Sequence, residues 1–292
     1  MLSCVAGAIA VSGHRRLMGG LSADTRLLVV EREHEPPLEV VLKRFSEPSR
    51  GSRVEWEAEA LSALSGAPLP YAVAQVLGRD DAGTGCDVPA LLTSRLPGRI
   101  GIEPHSWHSR VSALGEALAA FHVLGLPCPE ALPNYVDVSD SRRKAALPDD
   151  ATLPDWAAVW SYVEQHDFTG AELLHGDYHL GNALFESERL TGVIDWASAR
   201  RGPHELDVAY CRVDLSMLIG EDAPERFLAA YEARANARVE NVSRWDLAAS
   251  VRAFPDPISW LPGWRDAGRD DLNPTRIRER LRGFVQNALR RA

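Results

Sequence analysis

With 292 residues, 45% of them hydrophobic, the chain has enough apolar side chain to bury one large core or two smaller ones, which excludes a disordered polypeptide. The 41 Asp and Glu outnumber the 32 Lys and Arg, and the net charge of -9 argues against a general grip on nucleic acid or an anionic membrane while mildly favouring cationic small molecules. Cys4, Cys86, Cys128 and Cys211 stand far apart without CxxC spacing, so neither a zinc ribbon nor a redox pair is expected, and a reducing cytoplasm fits.

The first stretch, MLSCVAGAIAVSGHRR, is apolar but lacks a positive leading region and is too short to span a bilayer, so it reads as a first strand or helix. Gly19 and Gly20 in MGGLSADTRLLVV then mark a turn just before a strand. RLLVVERE and LEVVLKRF follow as two β-rich runs separated by the turn-like HEPP. In the second run, alternation puts Val41, Lys43 and Phe45 on one face and Arg44 on the other. RVEWEAEALSAL is a helix carrying three glutamates. At 100° per residue Glu57 falls within about 40° of Leu61 and Leu64, whereas Glu55 and Glu59 point away. A carboxylate on a buried face is costly unless paired, and Lys43 is its natural partner. Another apolar run, VPALLTSRL, closes this β-rich part.

The texture changes near residue 97, and the expected division is 1–96 and 97–292. In SWHSRVSALGEALAAFHVLGL, residues Val111, Leu114, Leu118 and Phe121 form one apolar stripe at helical spacing. Residues 127–154, rich in Pro and Asp, read as an irregular connection, and DWAAVWSYVEQH as a second helix. NALFE and LTGVID flank SERL as a β-hairpin would, and the remainder from about 204 reads mostly helical.

The chemistry is concentrated in LLHGDYHLGN, residues 173–182. Its letters admit three readings. His175, Asp177 and His179 alternate, so on an extended strand they would share a face as zinc ligands do, but no second cluster of ligand spacing stands nearby. Gly176 and Gly181 could instead mark a loop whose polar residues satisfy their own backbone. The third reading is phosphoryl transfer. It requires a carboxylate to orient or deprotonate a hydroxyl, and an Asn with an Asp to hold magnesium against phosphates. Asp177, Asn182 and Asp195 have the spacing of a kinase catalytic loop and its metal-binding aspartate.

HGDYHLGN followed by GVIDWASARRGPHELDVAY resembles the aminoglycoside phosphotransferase and choline kinase-like family, over most of residues 15–285. The resemblance implies an α+β, two-lobed protein-kinase-like fold: a small N-terminal antiparallel sheet lobe with one helix, and a larger, mostly helical C-terminal lobe. It implies that Asp177 is the catalytic base, that Asn182 and Asp195 bind Mg2+, and that Trp196 replaces the Phe of protein kinases. His175 would order the loop. Asp207, in PHELDVAY, would brace it, with an exposed helix N-cap as the competing reading.

Nucleotide contacts follow by the same resemblance. Lys43, aimed by Glu57, would reach the α- and β-phosphates. Gly20 and Ser22 would cover the phosphates, and backbone groups near Ser94 and Leu96 would face the adenine. The implied reaction moves the γ-phosphoryl group of ATP or GTP to a hydroxyl of an antibiotic, amino alcohol or sugar-like acceptor. A non-catalytic nucleotide-binding module, or a kinase of a protein or larger natural product, is the alternative. For a cationic acceptor the sequence offers Asp246, Asp256, Asp266, Asp270 and Asp271, against the simpler reading that they lie on a solvated face. Trp260 and Trp264 fall near the presumed acceptor side. The Arg-rich end NPTRIRERLRGFVQNALRRA departs from aminoglycoside enzymes, whose final residues help bind a polycation.

Overall fold

A computed structural model describes residues 4–17, 23–45, 52–102, 107–135, 145–220 and 222–292. In the N-terminal part, strands β1 (Ala8–Arg16), β2 (Asp24–Arg32), β3 (Glu35–Arg44), β4 (Val76–Asp80) and β5 (Ala90–Ser94) make one antiparallel sheet in the order β1-β2-β3-β5-β4. The opening apolar stretch therefore settles as an edge strand. The HEPP segment is not all turn: the chain reverses at Glu33 and His34, the latter at φ 64°, and β3 already begins at Glu35. Pro36 and Pro37 are tolerated in a strand because they fall at the register shift between Val30 and Arg32 of the partner, short of where β5 pairs on the other side.

Helix α1 (Ser52–Leu64) lies against this sheet. Val54, Ala58, Leu61 and Leu64 are buried at helical spacing, and Glu57 shares that face. Glu55 and Glu59 instead reach the outer Arg79. A short strand β6 (Arg99–Ile100) then leaves the first sheet and pairs with β8 (Ala183–Glu186), which pairs in turn with β9 (Arg189–Val193). Ala72 adds a second tie, donating its N–H to Thr191 O and accepting from Val193 N. The hairpin turns at Ser187 and Glu188 alone, with Ser187 at φ 56°, so Arg189 of SERL is already strand.

The rest is helical: α2 (Trp107–His122), α3 (Trp156–Glu164), α4 (Glu205–Leu218), α5 (Asp222–Ala235), α6 (Val242–Ser250), α7 (Leu261–Asp266) and α8 (Pro274–Arg291), with the short paired strands β7 (Glu172–Leu174) and β10 (Arg200–Gly202). The stripe Val111, Leu114, Leu118 and Phe121 on α2 is buried throughout. Helix α4 is the axis of this lobe. Every residue from Leu206 to Leu218 is buried beneath α5, α6 and α8. At about 1.5–3 kcal/mol for each large apolar side chain removed from water, burial of this helix contributes substantially to the stability of the lobe. Among the described residues no helix is long and apolar enough to cross a membrane.

Candidate functional site

The catalytic-loop candidate lies between β7 and β8, where alternate side chains take opposite directions. Tyr178 turns inward, 1% exposed, and its hydroxyl donates to Leu114 O of α2 at 2.9 Å, anchoring the loop to the core. Asp177 and His179 consequently face the cleft. Gly176 cannot be another residue: at φ 75° a Cβ would stand 2.0 Å from Ser198 O. Asp207 is a buried member of α4 rather than an exposed cap, with His204 at the cap position. Its two oxygens accept from His175 N at 2.7 Å and Gly176 N at 2.8 Å.

His175 and His179 do not form a face of metal ligands. The His175 ring is buried; its Nδ1 accepts from Asp177 N at 3.2 Å, so Nε2 carries the proton and donates to Ile194 O at 3.0 Å. Burial keeps this imidazole neutral by lowering its pKa. His179 Nδ1 accepts from Gly181 N at 3.0 Å, which turns Nε2 toward Asp177 Oδ2, 3.7 Å away. Burial alone would raise the Asp177 pKa, but the His179 ring 3.7 Å away and the nearby Arg252 guanidinium outweigh it and hold the carboxyl well below its ordinary range. Arg252 donates from Nη2 to Asp177 Oδ1 at 2.9 Å and from Nη1 to Gly176 O, with its guanidinium 3.9 Å from the Tyr210 ring centre.

Lys43 joins three elements. Its Nζ stands 2.5 Å from Glu57 Oε1 of α1 and 2.9 Å from Asp195 Oδ1 after β9. Burial works against the ammonium, yet Asp195 and Glu57 overcome it and raise the Lys43 pKa. Asp195 sits in the left-handed region at φ 65°, which aims its carboxylate back at the cleft before Trp196 dives into the core. There the Trp196 ring meets Phe121 edge-on at 5.2 Å.

Two cavities meet at this point, and Asn182 and Asp195 line both. The first, about 280 Å³, is walled by Val41, Leu61, Ala74, Leu184 and Val193 with Lys43 and Glu57 at its polar end. Ser94 and Leu96 also line it. The Ser94 N–H and hydroxyl are tied to Gln75, while no hydrogen bond among the described residues engages the Leu96 N–H. Gly19, Gly20 and Ser22 lie outside the described residues, although Leu17 and Thr25, on either side of them, line the cavity.

The second cavity, about 240 Å³, holds Asp177, His179, Tyr210, Asp214, Arg252, Trp260, Trp264 and Arg53. The two tryptophans enter it, but none of the five carboxylates that the sequence offered for a cationic acceptor does. Asp246 is buried against Arg212 Nε at 2.9 Å, and Asp256 caps the turn before α7 while pairing with Arg278. Asp271 pairs with Arg269 at 2.7 Å, and Asp266 and Asp270 are exposed. Besides Asp177 and Asp195 the cavity holds the carboxylate of Asp214, which sequence reading missed together with Arg252, Tyr210 and Arg53. The position of Tyr210 and Asp214, seven and eleven residues after Pro203 on the helix that follows it, was their only available signal.

Asn182 donates from Nδ2 to Asp177 O at 2.9 Å, which leaves its Oδ1 turned from the loop. Lys43 occupies Asp195 Oδ1, and no hydrogen bond among the described residues takes Oδ2. An amide oxygen and a carboxylate oxygen at one cleft suit a hard divalent cation that completes its shell with water and phosphate.

Comparison with known proteins agrees with this geometry. The model of the phosphotransferase enzyme family (APH) matches residues 14–249. The homoserine kinase of Methylobacterium sp. (strain 4-46) is 28% identical over 204 residues, 64% of this chain and 63% of the relative, so the match spans less than two thirds of that protein. Among solved structures, APH(2")-IIIa in complex with GDP and kanamycin gives a TM-score of 0.62 at 17% identity, covering 97% of this chain and 94% of that one. The macrolide 2'-phosphotransferase MphH of Brachybacterium faecium gives 0.56 at 19% identity, covering 95% and 94%. These structural likenesses establish the two-lobed, protein-kinase-like α+β fold.

Proposed function

Because the chain belongs to the phosphotransferase enzyme family, we propose that it is a small-molecule kinase, moving the γ-phosphoryl group of ATP or GTP to an alcohol hydroxyl. The observation that carries this reading is the pair of cavities meeting at Asn182 and Asp195, with Lys43 on one side and Asp177 on the other. On the reading of two lobes divided at 1–96 and 97–292, the apolar cavity that carries Lys43 and Glu57 would take the nucleotide and the charged one that carries Asp177 the acceptor. Relatives named as homoserine, aminoglycoside and macrolide phosphotransferases support a hydroxyl acceptor.

In the proposed reaction Asp177 accepts a hydrogen bond from the acceptor hydroxyl and takes its proton as the oxygen bonds to the γ-phosphorus. The bond to the β–γ bridging oxygen breaks and the nucleoside diphosphate leaves. Keeping Asp177 ionised is the contribution of Arg252 and His179. Lys43, steered by Glu57, meets the phosphates of the nucleotide, with Gly20 and Ser22 covering them and the backbone near Ser94 and Leu96 meeting the base. Asn182 and Asp195 would hold Mg2+, which shields phosphate charge when bound. His175 and Asp207 hold the loop in place. Catalysis in such a site comes from positioning and electrostatics in a cleft that excludes water.

The test is nucleotide- and magnesium-dependent transfer to a panel of amino alcohols, hydroxy amino acids, sugars, aminoglycosides and macrolides, read as a product heavier by one HPO3 unit. Asp177→Ala should lower turnover by roughly 10²-fold or more. Near-normal turnover by that variant would remove Asp177 from its role, and nucleotide binding without any product would favour a non-catalytic module.

A further inference from the structure

Helix α1 carries, one turn before Glu57, a charge that the proposed reaction does not use. Arg53 stands in the first turn, where the partial positive charge of a helix N-terminus disfavours a cation, so helix stability does not account for it. Residues four apart on a helix lie about 40° from each other, and Arg53 and Glu57 therefore share a face. That face meets the short segment after β9. Glu57 reaches it through Lys43, whose Nζ bonds Glu57 Oε1 at 2.5 Å and Asp195 Oδ1 at 2.9 Å. Arg53 reaches it directly, donating from Nη1 to Ser198 Oγ at 3.1 Å.

Ser198 is a firm point to hold. It is buried, its carbonyl accepts from Arg200 Nε at 2.8 Å, and that same oxygen lies against Gly176, the residue before Asp177. The apolar face of α1, with Val54, Ala58, Leu61 and Leu64, docks the helix on the core and does not include Arg53. Apolar contact has no direction, so it fixes where the helix lies more firmly than how it is turned about its axis. A hydrogen bond weakens steeply once its angle departs from linear, and the one to Ser198 resists that turn. Any turn of α1 carries Glu57 away from Lys43.

We propose that Arg53 is a positioning residue of phosphoryl transfer: through its bond to Ser198 it sets the rotation of α1 and thereby aims Glu57 and Lys43 at the phosphates of the nucleotide. This rests on the kinase reading above and deepens it. Arg53 also lines the acceptor cavity, so one face of α1 borders the acceptor at its first turn and aligns the donor at its second.

The experiment measures affinity in the presence of magnesium for adenosine and its non-hydrolysable β,γ-imido triphosphate, and for the guanosine counterparts, by calorimetry with the nucleosides read in competition. Wild type, Arg53→Ala, Ser198→Ala and the double variant are compared. The gain in affinity from nucleoside to triphosphate reports the grip on the phosphates alone. In Arg53→Ala that gain should shrink about tenfold or more, the scale of one hydrogen bond to a charged group, while nucleoside affinity holds. Ser198→Ala should reproduce the loss, and the double variant should lose no more than either single one.

A gain that survives in Arg53→Ala overturns the proposal. So does a gain lost in Arg53→Ala but kept in Ser198→Ala, which would make Arg53 a direct phosphate contact, and so does an equal loss of nucleoside and triphosphate affinity, the mark of a purely structural role. A wild type that gains nothing from the phosphates takes down the kinase reading itself. Should Ser198→Ala misfold, Ser198→Cys, whose thiol is a weak acceptor in nearly the same volume, takes its place in the cycle.

Discussion

The two cavities share a wall but differ in what holds them open. The donor side is a slot of aliphatic side chains from β3, α1 and β9, with its charge concentrated in the Lys43–Glu57–Asp195 cluster at one end. The acceptor side is lined by ionic and aromatic groups drawn from α1, the catalytic loop, α4 and the segment from Arg252 to Ala267. An apolar slot with one charged end suits a molecule that is itself a flat base joined to phosphates. A wall of fixed charges suits a molecule chosen for its own charge pattern. On the proposed reading, specificity for the acceptor resides mainly in the helical lobe, with Arg53 of α1 contributed from the sheet side.

That contrast can be broken most forcefully where the cavities join. Asp195→Ala removes a charge from both at once, and turnover should fall roughly 10³-fold, the scale of losing a preorganised electrostatic group at a transition state. A loss confined to nucleotide KM would mean that Asp195 belongs to one side only. Next come substitutions on the separate walls. Ala74→Phe, which fills the donor slot, should raise nucleotide KM about tenfold and leave acceptor KM alone, while Trp264→Ala should do the converse, each corresponding to about 1.4 kcal/mol. Crossed effects in steady-state kinetics would show that the two cavities behave as one.

A smaller effect sharpens the electrostatics. Arg252 depresses the Asp177 pKa, so Arg252→Ala should let that pKa rise, and the acid limb of the kcat/KM profile should move to higher pH. An unmoved limb would assign it to another group. Smallest is a stability effect. Burial works against the Asp207 carboxylate, but the His122 ring, its Nε2 3.6 Å away, neighbouring His175 and the Gly176 N–H outweigh it and lower the Asp207 pKa, so its contribution is present above the ordinary carboxylate pKa and is lost as pH falls through the depressed value. Denaturant titrations of Asp207→Asn should show a shallower loss of stability on acidification than the wild type.

The donor side was more legible in sequence than the acceptor side, for a physical reason. Lys43 and Glu57 sit on regular elements whose periods, two and 3.6, fix their faces, so their meeting followed from alternation and angle. HGDYHLGN carries its geometry in local spacing, and the structure brings Asp177, Asn182 and Asp195 to one cleft. Arg252 and Asp214 belong to segments 75 and 37 residues beyond Asp177, and only tertiary packing carries them there. Asp246 illustrates the converse: it had the right chemistry for an acceptor site, and α6 turns it inward to Arg212. Pro36 and Pro37 were read as turn because proline usually ends a strand, an inference that a bulge in the neighbouring register defeats.

The Asp207 carboxylate, which accepts from two successive N–H groups of the loop, makes the position of that loop a property of helix α4. A helix advances about 100° per residue, so a slip of a single residue in the packing of α4 would swing this carboxylate to another face and release both donors. Tyr210 and Asp214 ride on the same helix, one and two turns farther along. The catalytic loop and the acceptor wall are thus set by one rotation angle, and substitutions among the buried residues of α4, distant from any ligand, should alter substrate preference and turnover together.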